Sequence, residues 1–224
     1  MTLTDKNPQI ISKMFDNISN SYDRNNNIIS LGIHKIIKRL AIKLLNLSDN
    51  QKIIDICCGT GDISEILSKT PYQLDIYGID FSEKMIFIAK KKFPSLKFEI
   101  GDATNLNILN SSIDIITMTF GLRNIDNRSK AIKEAYRILK PNGQFLHLDF
   151  GYKNIFSKIF DIIALIGIRA LYKNTAPYSY LIKSKREFPD PDKLIEEFTS
   201  EGFKLMKKKE YLFGIISAQV YYKQ

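Results

Sequence analysis

The sequence predicts an α/β chain built on a doubly wound, mostly parallel sheet of seven strands, with a helical cap at its N-terminal end and an antiparallel strand at its C-terminal end. Three observations carry that prediction. Between Lys52 and Phe150, short β-branched runs alternate with segments of helical periodicity, as repeated βα units do. The run Lys52 to Cys58 is apolar apart from Lys52 and Asp55, as a strand covered on both faces has to be. It leads into Gly59-Thr60-Gly61, where the backbone can turn sharply without a Cβ in the way.

Residues 1–9 are polar and are expected to fray. From Ile10 to Leu47 the pattern is helical, with Ile10, Met14, Phe15 and Ile18 on one face and Ile33 to Leu45 supplying another. The polar stretch Asn20 to Asn27 between them reads as a loop joining two docking helices, or as a cap over the edge of a ligand site. His34, alone among apolar neighbours, reads as a structural histidine. Ile63, Ile66 and Leu67 predict a helix over 63–69, followed by a strand over 74–80. Ser82 caps a helix over 82–92, and strands follow over 96–100 and 113–120. A helix over 127–139 stops at Pro141-Asn142-Gly143 and hands over to a strand at 143–150.

Ile155 to Tyr172 is a very apolar helix interrupted by Lys158, Asp161 and Arg169; it reads as a docking helix or as an apolar lid against lipid. Asp190-Pro191-Asp192 opens a helix to Thr199, and Lys204 to Tyr211 with Ile215 to Tyr222 form a final antiparallel pair. The expected organisation is one domain: cap 1–47, ligand-binding core 48–150, apolar helix and loop 151–189, and C-terminal helix with strand pair 190–224.

Composition narrows the function. Cys57 and Cys58, both in one predicted core strand, form no disulfide framework, so a reducing cytoplasm is the expected compartment. No uninterrupted apolar run reaches the roughly 18–20 residues that span a bilayer. The net charge of +9 fits an anionic partner such as a membrane surface or nucleic acid, although scattered lysines also make an ordinary solvated face. No His, Cys or Asp cluster has metal-ligand spacing, so no metal is expected.

The glycine turn belongs to a longer pattern, Asp55-x-x-x-Gly59-x-Gly61, with Ser64 where a dinucleotide fingerprint has its third glycine. Asp80 ends the second strand, where a carboxylate can hold both hydroxyls of a ribose; that supports a nucleoside without choosing among cofactors. The pattern is similar to the first motif of class I S-adenosylmethionine-dependent methyltransferases, which have a Rossmann-like sheet.

Further motifs resemble one family, the C-methyltransferases of ubiquinone and menaquinone biosynthesis. These are Met14-Phe15-Asp16-x-Ile18-Ser19-x-x-Tyr22-Asp23-x-x-Asn26 with Ser30-x-Gly32-x-His34, Gly78-Ile79-Asp80-x-Ser82-x-x-Met85, and Gly101-Asp102-Ala103 with Leu106. The most distinctive is Thr117-x-Thr119-Phe120-Gly121-Leu122-Arg123-Asn124, followed by Glu134-x-x-Arg137-x-Leu139-Lys140-Pro141-x-Gly143, Tyr178-x-Tyr180-Leu181-x-x-Ser184 and Phe188-Pro189. The chain departs from the family at Ala164, where a proline is usual, at Asn107 and at Gln219, where a histidine is frequent; Gly167 is kept.

The resemblance implies an S-adenosylmethionine-dependent C-methylation of a polyprenyl quinol, demethylmenaquinol before a benzoquinol. It places Asp55, Gly59, Thr60, Gly61, Asp80, Asp102, Ala103 and Thr119 at the cofactor. Arg123 and Asn124 would face the acceptor, and Tyr22 and Asp23 would be either catalytic or part of the cap packing. An arginine is too basic to act readily as the proton acceptor, so Arg123 would hold a phenolate or orient a water. The implied partners are the quinol and, peripherally, an anionic membrane at the inner face of the cell membrane; no nucleic acid is expected, and a homodimer stays open. Another small-molecule or RNA methyltransferase, and a binding protein without activity, are the competing readings.

Overall fold

A computed structural model describes residues 8–30, 32–171 and 176–224. The sheet is built from β1 (Lys52–Ile56), β2 (Asp75–Asp80), β3 (Lys97–Ile100), β4 (Ile113–Thr119), β5 (Leu139–Phe150), β6 (Phe203–Tyr211) and β7 (Ile216–Lys223). Its order is β3-β2-β1-β4-β5-β7-β6. The first five strands pair in parallel, and β7 runs antiparallel to both β5 and β6. The expected sheet is therefore present, with the predicted antiparallel strand inserted next to the edge.

The middle strands explain themselves. Ile53, Ile56, Ile115, Ile116 and Met118 are all at most 1% exposed. Burying side chains of this size is worth about 1.5–3 kcal/mol each. Helices α3 (Asp62–Ser68), α4 (Glu83–Lys92) and α5 (Arg128–Ile138) are the crossovers. The Ser82 hydroxyl accepts from the Met85 amide and the Asn127 side chain from that of Lys130, so both longer crossovers open on side-chain caps. Beyond β5 lie α6 (Ile155–Leu171), α7 (Ala176–Glu187) and α8 (Pro191–Ser200). The C-terminal hairpin packs under α8 through stacked Phe198 and Tyr221, ring centres 4.2 Å apart.

Three expectations change. The polar stretch Asn20 to Asn27 is not a loop: it lies inside a continuous helix, α1 (Pro8–Ser30), which α2 (Ile33–Ile42) follows after Gly32 in a left-handed turn. Tyr22 and Asn26 of that stretch line a cavity at the functional edge of the sheet, so the apolar period that marks a core helix is missing there. The residues after α6 are not a loop either, because Ala176–Glu187 is helical. Strand β5 starts at Leu139 rather than 143; Leu139 pairs with Ile113, Asn142 adopts a left-handed φ of 62°, and pairing resumes at Gln144. The side chains of Ala164, Gly167, Arg169 and Tyr178, and all of residues 172–175, lie outside the described residues.

Gln219, where the family often carries a histidine, is a structural residue here. Fully buried, it donates to the Pro191 carbonyl at 2.8 Å and accepts from the Tyr221 hydroxyl at 2.9 Å.

Candidate cofactor and acceptor sites

Two cavities open at the carboxyl ends of β1, β2 and β4, where an open parallel sheet gathers its loops. They share a wall that includes Tyr22, Gly59, Thr119, Phe120 and Asn124.

The first cavity, about 340 Å³, is walled by Asp80, Asp102 and Ala103 together with apolar Ile79, Met85 and Ile125. Asp80 is held rigid: its Oδ2 accepts from the Gly59 amide and its Oδ1 from the Ser82 amide, both at 2.9 Å. Burial pushes its carboxyl above the ordinary range, against those backbone bonds. Asp102 accepts from the Thr104 amide at 2.8 Å, which fixes the loop after β3. A largely apolar slot with a backbone-held carboxylate in its wall fits a nucleoside. A Cβ on Gly59 would meet nothing within 4 Å, so the space above the turn is open to a ligand.

Two residues of the motif lie beneath that space instead. Gly61 has φ +88°, and a Cβ there would stand 2.9 Å from the Phe98 ring, so this glycine serves the turn and its packing. Asp55 is fully buried and walls neither cavity. It accepts from the hydroxyls of Thr117 at 2.9 Å and Ser64 at 3.0 Å, tying β1 to β4 and to α3. Burial pushes its carboxyl up to about 7, although the two hydroxyls favour its ionised form.

The second cavity, about 160 Å³, starts at the same wall and runs on between Phe150, Phe160, Leu181 and Ile216. Arg123 and Asn124 stand at its inner end, on a short 3₁₀ turn (Leu122–Asn124) after β4. Phe120 sets that turn: its φ of +54° is left-handed, a strained conformation for a bulky side chain. Its carbonyl accepts from Arg123 Nη1 at 2.5 Å and from Asn124 Nδ2 at 3.4 Å. Gly121 follows because a Cβ would lie 2.5 Å from that of Cys57, itself left-handed at the end of β1. Both thiols are pushed well up by burial, so Cys57 and Cys58 stay protonated.

Arg123 is only 5% exposed and pairs with Asp149 of β5 at 2.9 Å, not with neighbouring Asp126. Its Nε is buried without a partner among the described residues, as is Asp149 Oδ2. Asn124 Oδ1 accepts from the Tyr180 hydroxyl at 3.3 Å; burial holds that phenol up at about 12, so it stays neutral and can donate.

Helix α1 closes the top. Phe15, Tyr22, Asn26 and Ser30 all line the second cavity; their spacing of seven, four and four puts them on one helical face. That spacing was the signal by which sequence could have found the helix. Tyr22 meets both cavities and packs edge-on against Phe15. Asp23 walls neither cavity and is a latch: Oδ1 accepts from the Thr60 hydroxyl at 2.6 Å and Oδ2 from Lys92 at 2.8 Å. Asp16 makes a second latch to the Ser82 hydroxyl at 2.6 Å. His34, set aside on sequence, also lines the second cavity and shares a 2.5 Å hydrogen bond with Ser30. Burial, helped by Lys38, lowers it to about 4, so it is neutral near pH 7. Lys185 and Asp161 are further cavity residues that the motifs did not reveal. Among the described residues, no group of three His, Cys, Asp or Glu side chains could hold a metal ion.

A seven-stranded sheet of this order, with a glycine turn after β1 and an acid at the end of β2, defines the fold of class I S-adenosylmethionine-dependent methyltransferases. A solved S-adenosylmethionine-dependent methyltransferase of Thermotoga maritima superposes with a TM-score of 0.70 at 22% identity, covering 95% of this chain and 99% of that one. Another from Aquifex aeolicus does so with 0.62 at 14%, covering 84% and 89%. The chain belongs to the ubiE/COQ5 methyltransferase family, whose profile it matches over residues 3–223. It is 33% identical to a demethylmenaquinone methyltransferase of Staphylococcus haemolyticus, across 100% of this chain and 98% of that protein. It is 34% identical to the ubiquinone/menaquinone biosynthesis C-methyltransferase of Geotalea daltonii, across 95% of each. The protein is thus an S-adenosylmethionine-dependent C-methyltransferase of the quinone-biosynthesis family.

Proposed function

We propose that this chain methylates a ring carbon of demethylmenaquinol, with Gly59, Asp80, Asp102, Ala103 and Thr119 on the cofactor side and Arg123, Asn124 and Tyr22 on the acceptor side. The observation that carries this reading is the apolar cavity that continues from the shared wall and has polar Arg123, Asn124 and Tyr180 at its inner end. Such a lining suits an aromatic ring bearing a phenolic oxygen and a long hydrocarbon tail. The choice of the naphthoquinol is supported by relatives named demethylmenaquinone methyltransferase, including one of Leptospira interrogans at 35% identity.

S-adenosylmethionine, when bound, supplies a methyl group already activated on a sulfonium. What remains for the protein is to hold the ring, exclude water and stabilise the charge that makes its carbon nucleophilic. Arg123 and the Tyr180–Asn124 pair can hold a phenolate oxygen, because their positive charge and donor protons lower the cost of ionising it. Phe120, Phe150 and Phe160 keep the cavity dry, which strengthens those interactions. Helix α1 covers both cavities, tied down by its latches at Thr60 and Ser82.

The tail and the membrane that carries it are the proposed partners of α6. Ile155, Phe156, Ile159, Ile162 and Ile163 are exposed on that helix, and Phe156 stacks at 4.7 Å on the still more exposed Phe213 of the β6–β7 turn. Exposed Lys153 and Lys158 flank this apolar face, as on a helix that lies on anionic lipid. No helix of the described residues is long and apolar enough to cross a membrane.

Quinones extracted from cells with and without the gene test the assignment. Loss of the gene is expected to leave demethylmenaquinone in place of menaquinone. Accumulation of an unmethylated polyprenyl benzoquinol instead would move the assignment to ubiquinone synthesis.

A further inference from the structure

Inside the acceptor cavity lies an ion pair without a part in the roles above. Lys185 of α7 and Asp161 of α6 meet at 2.5 Å, with only 5% and 6% of each residue exposed. The ammonium also donates to the Ser157 carbonyl at 3.3 Å and stands 5.1 Å from the ring centres of both Phe150 and Phe160. Two of its three protons therefore have acceptors, and the third has none among the described residues. A buried ion pair in apolar surroundings is a poor source of stability, since well-packed apolar side chains do as well or better. Its place in a cavity wall points to a ligand.

The spacing narrows that ligand. The Arg123 guanidinium lies 5.2 Å from the same Phe150 ring centre, so the two cationic groups are no more than about 10 Å apart. Two oxygens placed para on one aromatic ring are about 5.5 Å apart, and a hydrogen bond of about 2.8 Å at each end gives a span of up to about 11 Å. We propose that Lys185 and Asp161 form a second oxygen-binding pole, which holds the ring oxygen para to the one at Arg123 and Asn124. A hydroxyl there both accepts from the ammonium and donates to the carboxylate. An oxidised carbonyl can only accept, and a hydrogen atom does neither. The pole thus selects a reduced, para-dihydroxylated ring over its quinone and over a ring with one oxygen. This rests on the quinol reading of the same cavity.

The test uses two rings, 2-methyl-1,4-naphthoquinol, kept reduced, and 2-methyl-1-naphthol, with no S-adenosylmethionine present so that only binding is read. Calorimetry on the full chain should show the diol bound at least tenfold more tightly. Lys185→Met combined with Asp161→Leu, which removes both halves of the pole and leaves no unpaired buried charge, should erase that preference. Asp161→Asn should instead shrink the preference for the diol over 2-methyl-1,4-naphthoquinone. An undiminished diol preference in the double variant, with both proteins folded by their melting curves, overturns the proposal. Since the readout is binding, a wild type that methylates no quinol would sink the functional reading and leave the test of the pole intact.

Discussion

Arg123 is where structure and chemistry compete most directly, and the two can be separated. Arg123→Ala would leave Asp149, 0% exposed, as a buried carboxylate without its cation. Removing one partner of a buried pair costs roughly 3–5 kcal/mol. In a domain of this size each kcal/mol moves the midpoint by about 2–4 °C, so Tm should fall by about 6–20 °C. Arg123→Met with Asp149→Leu replaces the pair by apolar side chains and should restore most of that loss, because such replacements are often neutral or better. Turnover should not return with it. Losing a preorganised donor aimed at developing charge costs about 3–4 kcal/mol of barrier, a loss in rate of roughly two to three orders of magnitude. The assay is turnover of reduced demethylmenaquinone per folded molecule, at saturating cofactor, beside a thermal melt. A double variant that melts like the wild type and turns over normally would show that Arg123 only braces the loop. An Arg123→Ala protein that melts like the wild type would refute the buried pair itself.

Three other outcomes are expected. Asp80→Ala should weaken S-adenosylmethionine binding by about 1.5–3 kcal/mol in calorimetry, the range for hydrogen bonds to a charged group; an unchanged Kd would exclude the ribose role. Stability should carry two opposed pH slopes. Asp55 ionises near 3.8 when unfolded and near 7 when folded, so its contribution is full below about pH 4 and lost as pH rises through 7. His34 titrates near 6.5 unfolded and near 4 folded, so its contribution is full above about pH 6.5 and lost as pH falls through 4. Melts from pH 4 to 8 should therefore rise more steeply with pH in Asp55→Asn than in the wild type and fall more steeply in His34→Gln; three parallel curves would contradict both shifts. Flotation with anionic liposomes should capture the wild type and lose Ile163→Asp, without a change in cofactor affinity; a wild type that stays in solution at low salt would leave α6 without a lipid partner.

The sheet was legible because its central strands are continuous β-branched runs, and a buried strand has few other ways to be written. That Asp80, Asp102 and Thr119 share one cavity wall follows from the same pattern: Asp80 and Thr119 end β2 and β4, and Asp102 follows β3. Helix α1 was misread between Asn20 and Asn27 because its inward face meets ligand space rather than core, so polar residues replaced the expected apolar stripe. Helix α7 was lost in the same way, with Tyr180 and Lys185 turned to the cavity. The partner of Arg123 was beyond sequence reasoning, which favours nearby Asp126 over Asp149, an acid 26 residues away that only the β4–β5 pairing brings alongside. Asp55 is the opposite case: a motif residue next to the glycine turn, it walls neither cavity, and its carboxylate ties β1 to β4 and to α3.

Methyl transfer by the purified chain tests the central claim most directly. The protein is incubated without oxygen with S-adenosylmethionine labelled in the methyl group and with reduced demethylmenaquinone, and the products are resolved by mass and by carbon NMR. The label should appear on the ring carbon beside a phenolic oxygen, and Arg123→Met with Asp149→Leu should slow its appearance by roughly two to three orders of magnitude. Label on a phenolic oxygen, or no label on the naphthoquinol while a polyprenyl benzoquinol is methylated, would contradict the reaction assigned to this site.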